Sequence, residues 1–317
     1  MNRRLAITLF LMMVAPFAKA EPLTFERGLM GTRFAITCYH EDKVQATAAA
    51  NAAFDAAERI NQVASDYIAD SELLSLSKYP AATAVTVSPL LYQLISEARD
   101  LAEKTKGLFD PTLGPLTKLW RESRRRNSLP DDDILAAARA ASGWGNLILD
   151  PQKQTVTLMK PAMRLDLGGI AKGQAADAML AVMRQRGIPR SCITAGGDVR
   201  LGDPPPAAKG WKIGVRTMTD IDQPENLILS NCGISTSGDL HQFIEIGGTR
   251  YSHIIDPATG LGLTNGNVAT VIAPTATISD ALATACCVTP IEKAKSMALA
   301  SGATEVYLTP HSGLRKR

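Results

Sequence analysis

Four short segments gather acids, hydroxyls, glycines and a scarce histidine where a core needs none of them. The first is Asp166-Leu-Gly-Gly-Ile-Ala-Lys-Gly173. Its pattern predicts a strand ending at Asp166 and a Gly168-Gly169 turn opening a helix, whose first N–H groups suit a phosphate. Lys172 adds a positive charge that can reach a phosphate oxygen. Neither a P-loop nor G-x-G-x-x-G is present, so an ordinary strand-to-helix turn stays open as the alternative. The second, Ser235-Thr-Ser-Gly-Asp239, crowds hydroxyls and an acid around a glycine, and a plain hairpin turn would use the same residues. The third, His253-Ile-Ile-Asp-Pro-Ala-Thr-Gly260, delivers a histidine at a strand end beside an acid, and histidine is a natural general base near neutral pH. A hydrogen-bonded surface histidine is its alternative. The fourth, Thr277-Ile-Ser-Asp-Ala-Leu-Ala-Thr284, places Asp280 and Thr284 one helical turn apart on one face. A carboxylate and a hydroxyl so placed are hard oxygen ligands fit for Mg²⁺, or else a helix cap with a buried threonine.

The elements that must position these segments follow from periodicity and punctuation. Arg33–Tyr39 alternates as a strand, and Lys43 to about Ala64 carries helical apolar spacing. Asp66–Glu72 reads as a loop in which Asp70-Ser71 caps a short apolar run. Ser88-Pro89 opens a helix that Gly107 closes, and Asp110–Leu119 reads as a Pro- and Gly-punctuated loop. Pro130–Ser142 is predicted helical, with acids at its start. Beyond residue 145 strands dominate: Thr155–Met159, Met163–Leu167, Ser191–Ala195, Lys212–Arg216, Phe243–Ile246, Tyr251–Ile255, Val268–Ala273 and Thr304–Leu308. Helices are predicted from about Ala171 to Arg186, from Ser279 to Val288 and from Ile291 to Ala300. Strands and helices do not alternate strictly, which argues α+β rather than a doubly wound parallel sheet.

Composition narrows the class. The 317 residues are 45 % apolar and 21 % charged, ordinary for a globular chain, with aromatics at only 5 %. Residues 1–20 read as a leader: Arg3 and Arg4, an apolar run from Leu5 to Val14, and an Ala18-Lys19-Ala20 cleavage site before Glu21. The run is short of the roughly 20 residues a bilayer span needs. No cysteine follows the site to take a lipid, so the reading is periplasmic export with no integral span. Removing the leader takes Arg3, Arg4 and Lys19 and no acid, so the formal +3 falls to zero. A neutral chain without a basic block is poor nucleic-acid-binding material. The nearest basic run, Arg121 to Arg126, is interrupted by Glu122 and reads as a solvated surface segment. The five cysteines show no C-x-x-C spacing and read as small buried residues. The four histidines are scattered, with no zinc spacing.

Taken together and in order, the four segments resemble those of the ApbE-type flavin transferases, the FAD:protein FMN transferases. Met30-Gly-Thr32, Gly107-Leu-Phe-Asp-Pro-Thr112 and the loop Ser65-Asp-Tyr-Ile-Ala-Asp-Ser-Glu-Leu73 fit the same resemblance, which runs from about Phe25 to Leu308. It implies one large α+β domain over 21–317, with mixed and antiparallel sheets and flanking helices, related to the T-fold. It implies that Met30 contacts FAD, that Tyr67 and Leu108-Phe109-Asp110 hold the adenosine part, and that Asp166, Lys172 and Ile255 bind the flavin nucleotide. Mg²⁺ would be held by the Gly169 carbonyl with Asp280 and Thr284, and His253 would be the catalytic base. The implied reaction joins FMN from FAD to a threonine of an acceptor protein and releases AMP. The acceptor would be a flavoprotein, such as a redox-complex subunit, carrying a D-G-x-[ST]-G-A-T-like segment. Leu240 stands where the family commonly has an aromatic, which bears on acceptor preference. Ser301-Gly-Ala-Thr304 lacks the Asp-Gly half of the acceptor segment and reads as a helix end. An FAD pyrophosphatase yielding FMN and AMP, and a non-catalytic periplasmic flavin-binding protein, are the competing readings.

Overall fold

A computed structural model describes residues 21–217, 220–238 and 242–309. The leader, Asp239, Leu240 and His241 lie outside the described residues.

The chain opens with a hairpin of β1 (Leu23–Leu29) and β2 (Thr32–Cys38), joined by Met30-Gly31 alone. Both turn residues have positive φ, 48° and 70°, as a two-residue turn matching strand twist demands. Gly31 takes this freely; Met30 is a bulky residue held in the left-handed region. Helix α1 (Lys43–Ala64) follows, capped by Asp42, whose carboxylate accepts from Val44 N and Gln45 N. The short α2 (Glu72–Ser75) is capped by Ser71, and β3 (Ala84–Thr86) leads to α3 (Pro89–Lys104), capped by Ser88. Helices α4 (Gly114–Arg126) and α5 (Asp132–Ala140) precede the hairpin of β4 (Leu147–Asp150) and β5 (Thr155–Leu158).

Next come α6 (Ala171–Gln185), β6 (Ser191–Ala195), β7 (Asp198–Leu201), β8 (Trp211–Thr217), β9 (Asp220–Leu229) and β10 (Gly233–Ser237). A small hairpin, β11 (Phe243–Ile246) and β12 (Thr249–Ser252), is followed by β13 (Val268–Ala273), α7 (Ala276–Val288), α8 (Ile291–Ala300) and β14 (Glu305–Thr309). Seven strands form one antiparallel sheet in the order β1-β2-β6-β7-β10-β13-β14. Helices α1, α6 and α7 pack together and cover one face. Their contact surfaces are rich in alanine (Ala46, Ala49, Ala53, Ala175, Ala176, Ala281 and Ala285 are buried), which lets backbones approach closely. The other face carries Trp211 against Tyr39, with Ile234 and Ile272. The fold is α+β, as the uneven distribution of elements predicts.

Three expectations are corrected. Asp110–Leu119 is not loop throughout, because α4 starts at Gly114 with Pro115 in its first turn, where a missing N–H costs nothing. Met163–Leu167 alternates buried and half-buried side chains as expected but is not a strand. Its neighbour is the irregular Pro111–Leu113 segment, which gives a single bridge, Leu113 to Arg164, and one bond, Asp166 N to Pro111 O. The strand expected over Tyr251–Ile255 ends at Ser252, leaving Ile255 in an isolated bridge with Gly262. Ser301–Thr304 is the end of α8, with Gly302 at φ 114°.

Candidate active site

A cleft of about 910 Å³ opens beside the sheet, between α1, α4, α6, α7 and the β11–β12 hairpin. Every residue to which the resemblance gives a binding, metal or catalytic role lines it: Met30, Tyr67, Leu108, Phe109, Asp110, Asp166, Gly169, Lys172, His253, Ile255, Asp280 and Thr284. These residues come from distant parts of the chain, so their convergence is a property of the fold rather than of any one motif.

The deepest part is set by α6 against α7. Gly173 lies so near α7 that a Cβ there would meet the Ala276 carbonyl oxygen at 2.3 Å. Only glycine allows this approach, and it brings Gly173 N within 3.0 Å of Asp280 Oδ2. The start of α7 is pinned from α6 as well: the Asp177 carboxylate accepts from Ala276 N, Thr277 N and Thr277 Oγ1. Arg200 holds Asp177 in turn at 2.6 Å. Thr275 caps the helix through Ile278 N. The capping role offered as the alternative for the Thr277 segment therefore belongs to Thr275 and Asp177, and Asp280 is left to face the cleft.

Asp280 is 2 % exposed and belongs to a buried charge cluster. Lys172 Nζ lies 3.4 Å from Asp280 Oδ2 and 3.0 Å from Asp198 Oδ2. Burial, and then the neighbouring Asp198 charge, push the Asp280 carboxyl up to about 7, against the pull of Lys172. Burial works against the Lys172 charge, but Asp280 and Asp198 outweigh it and hold the ammonium above its ordinary range. Two acids share one lysine in a nearly dry site, so with both ionised one negative charge is left over, which a bound cation would balance. Thr284, one turn beyond Asp280, has its Oγ1 3.3 Å from Ser237 Oγ. It also sits against Gly169, where a Cβ would stand 3.5 Å from that same Oγ1. A carboxylate, two hydroxyls and the adjacent Gly-Gly turn make an oxygen-rich corner, which fits Mg²⁺ chemically. Among the described residues no group of three His, Cys, Asp or Glu side chains could hold a metal, so such an ion would rest on mixed oxygen donors.

His253 stands at the cleft wall immediately after β12. Trp120 Nε1 donates to Ser252 O at 3.0 Å, and the Trp120 ring packs edge-on against Tyr251, 5.6 Å between centroids. Together they tie α4 to the strand end that carries the histidine. His253 Nδ1 lies 3.1 Å from the Gln242 carbonyl oxygen. A carbonyl only accepts, so Nδ1 carries the proton and the neutral ring has its lone pair on Nε2, the state a base requires.

The far end is built from loops. Asp66 Oδ2 and Asp166 Oδ2 both accept from Arg121, at 2.5 and 3.2 Å, and the Arg121 guanidinium lies 4.1 Å from the centroid of the Tyr67 ring. Asp166 Oδ1 accepts from Gly168 N at 2.7 Å, closing the Gly-Gly turn. Asp110 lines the cleft, but both its oxygens are engaged by its own loops, through Thr112 and Trp144 N. Its part is to shape the Leu108–Phe109 wall.

Two sequence readings change here. Ser235 and Thr236 lie on β10 rather than in a turn, and they bond Ser279 and Thr270 on neighbouring elements. Only Ser237 of that segment lines the cleft. Arg121 is no surface residue of a solvated run, since it shares the cleft with two acids. Asp198 was not singled out at all. Its signal is an acid directly after Gly196-Gly197 inside an otherwise apolar hairpin, a pattern that a turn also explains. The five cysteines form no disulfide with one another; four of them are buried and Cys232 is half-buried.

Comparison with known proteins agrees with this geometry. The ApbE family model matches residues 30–308. A protein of Treponema pallidum named FAD:protein FMN transferase is 35 % identical over 71 % of this chain, which spans 66 % of that relative's length. The Escherichia coli K12 protein of the same name is 30 % identical over 80 % of this chain and 74 % of its own. The crystal structure of the ApbE protein of Thermotoga maritima superposes with a TM-score of 0.83 at 29 % identity, covering 94 % of this chain and 97 % of that one. With the family model matched across nearly all the described residues, this chain belongs to the ApbE family.

Proposed function

We propose that this protein is an exported, Mg²⁺-dependent FAD:protein FMN transferase that joins FMN to an acceptor threonine and releases AMP. The observation that carries the reading is the convergence on one cleft of all twelve residues to which the resemblance gives a role, with His253 and the Asp280–Thr284 pair in its walls. Names of relatives at 30–35 % identity support the same activity.

Each residue then has a task. Tyr67 and the Leu108–Phe109 wall receive the adenosine end, and Met30 and Ile255 flank the flavin. Asp280, Thr284 and the Gly169 carbonyl would hold Mg²⁺, which when bound neutralises the pyrophosphate and the charge of the transition state. Lys172 favours the ionised form of Asp280 and holds it in place, with Asp198 gripping the lysine from the other side. His253 takes the proton from the acceptor hydroxyl. The threonine oxygen forms a bond to the FMN-side phosphorus, the bridging P–O bond breaks, and AMP leaves with the bridging oxygen. Export through residues 1–20 would bring the enzyme to periplasmic acceptors with a D-G-x-[ST]-G-A-T-like segment, and Edman sequencing of the secreted form should start at Glu21. No described helix is long and apolar enough to cross a membrane.

The test is mass spectrometry of a threonine-bearing acceptor incubated with enzyme, FAD and Mg²⁺. The expected result is one added FMN on the threonine, with AMP released in equal amount. His253→Ala should slow it by about 10²–10⁴-fold, the usual contribution of a positioned base. Steady FMN release into solution, with no modified acceptor, would instead make the protein an FAD pyrophosphatase. No FAD cleavage under any condition would leave a flavin-binding protein.

A further inference from the structure

We propose that Arg121 is a positioning residue that locks the base-receiving loop to the Gly-Gly turn and so sets the affinity of the cleft for the adenine-bearing half of its substrate. The proposal rests on the functional reading above.

The geometry gives Arg121 three simultaneous jobs. Its two terminal nitrogens reach Asp66, in the loop, and Asp166, at the turn. Its guanidinium plane backs the Tyr67 ring at 4.1 Å. Both acid side chains are nearly buried, at 6 % and 9 % exposure, so neither is screened by bulk water. Arg164 adds to the loop side by donating to Asp66 O at 2.9 Å. On the turn side Asp166 already closes back on Gly168 N. Arg121 is therefore the bridge through which a loop following α1 is fixed relative to the turn preceding α6.

Tyr67 is what this bridge presents. Tyr67 as a whole is 76 % exposed although one face of its ring is covered by a cation. A ring backed by a cation on one side and open elsewhere is a stacking platform, and a purine offers a π-face to fill it. Removing Arg121 leaves two nearly buried carboxylates without their shared cation and frees the Tyr67 ring to rotate. A lysine would return the charge but could not span both acids and back the ring at once, because it lacks the planar fork.

The experiment compares wild type, Arg121→Ala, Arg121→Lys, Tyr67→Ala and the Arg121→Ala/Tyr67→Ala double variant by titration calorimetry with AMP, FMN and FAD. Arg121→Ala should weaken AMP and FAD binding by about tenfold or more, the scale of a lost cation–π and stacking arrangement, while FMN binding, which keeps Lys172, Ile255 and an Asp166 still closed on Gly168 N, falls by no more than about threefold. Arg121→Lys should recover part of the loss. In the Tyr67→Ala background, removing Arg121 should add less than about threefold, because the two act through one platform. Retained FMN binding shows that the cleft is folded; if Arg121→Ala does not fold, the lysine variant carries the same comparison. AMP and FMN affinities falling together, or additive losses in the double variant, would overturn the positioning role. Wild type that binds FMN but neither AMP nor FAD would overturn the functional reading on which it rests.

Discussion

At one end of the cleft, Asp280, Lys172 and Asp198 are held by helix packed on helix and by a strand hairpin. At the other, Tyr67, Asp66 and Asp166 are held by loops that a single arginine connects. The first end is nearly dry: Asp280 and Asp198 are each 2 % exposed, and Gly173 leaves no room for a methyl group between α6 and α7. The second presents a tyrosine that is 76 % exposed. The contrast matches two different demands. Charge transfer at phosphorus needs groups fixed within fractions of an ångström, which only packed backbone provides. Reception of a planar base needs a surface that can admit and release it, and exposed loops serve that better.

The comparison makes its largest claim at Asp280. Asp280→Ala should reduce transfer by about 10³-fold or more, since under the proposed function it removes a group that acts on the reacting phosphates. Mg²⁺ should raise the melting temperature of the wild-type protein, because an ion that binds only the folded state stabilises it, and Asp280→Ala should abolish that rise. A variant that kept the Mg²⁺-dependent rise would remove Asp280 from the metal site.

Gly173→Ala comes next, and it attacks geometry rather than chemistry. The new Cβ would fall 2.3 Å from the Ala276 oxygen and 2.6 Å from its carbon, both backbone atoms that cannot turn aside. We expect about 2–3 kcal/mol of lost stability, read as a lower midpoint in urea. We also expect about 10²-fold lower turnover, because α7 must shift and take Asp280 with it. Lost stability with normal turnover would mean that the α6–α7 spacing serves the fold alone.

The two ends also differ in how readily the sequence discloses them. The helical spacing of Asp280 and Thr284, and the glycines before Lys172, mark the packed end because helices repeat their faces every few residues. Asp198 escaped notice because its importance lies in a partner far along the chain. An acid after Gly196-Gly197 looks like any hairpin turn until the sheet sets β7 beside α6. Arg121 was misread for a related reason. Arg125 and Arg126 do pair with Glu122 at the surface, whereas Arg124, half-buried, lines the cleft with Arg121, and nothing local separates the two pairs. What separates them is that α4 begins at Gly114, earlier than its Pro-Gly punctuation suggests, which turns Trp120 and Arg121 inward. Most helices and strands were legible from periodicity. The exceptions are α4, whose start was expected as loop, six strands that no expectation covers (β1, β3, β4, β7, β9 and β10), and two extended segments, Met163–Leu167 and the end of β12, whose pairing partners are irregular.

Asp198→Asn separates the role of charge from that of packing at the dry end. The side chain keeps its shape, and Lys172 keeps Asp280. The cluster loses the negative charge that exceeds its lysine, so it should attract a divalent ion less. Losing the Asp198 charge also lets Asp280 ionise at lower pH, so the comparison is made at about pH 8.5, where Asp280 is ionised in both proteins. There the Mg²⁺ concentration for half-maximal rate should rise by about tenfold, the scale of altering a residue that supports a metal ligand. Turnover at saturating Mg²⁺ should change much less. A fall in saturated turnover without any change in Mg²⁺ requirement would show that Asp198 acts on the reaction through Lys172 instead.

The smallest effect belongs to the open end, where the proposed platform uses the ring rather than the hydroxyl of Tyr67. Tyr67→Ala should raise the KM for FAD by about tenfold, as loss of one stacking surface does. Tyr67→Phe keeps the ring, and phenylalanine still attracts a guanidinium, so its KM should change by no more than about threefold. Neither change should lower the rate at saturating FAD as Asp280→Ala does, because the platform lies away from the reacting phosphorus. Were Tyr67→Phe to lose as much as Tyr67→Ala, the hydroxyl would be making a specific bond to substrate. The loop end would then be as exacting as the packed one, and the division of labour between the two ends would fail.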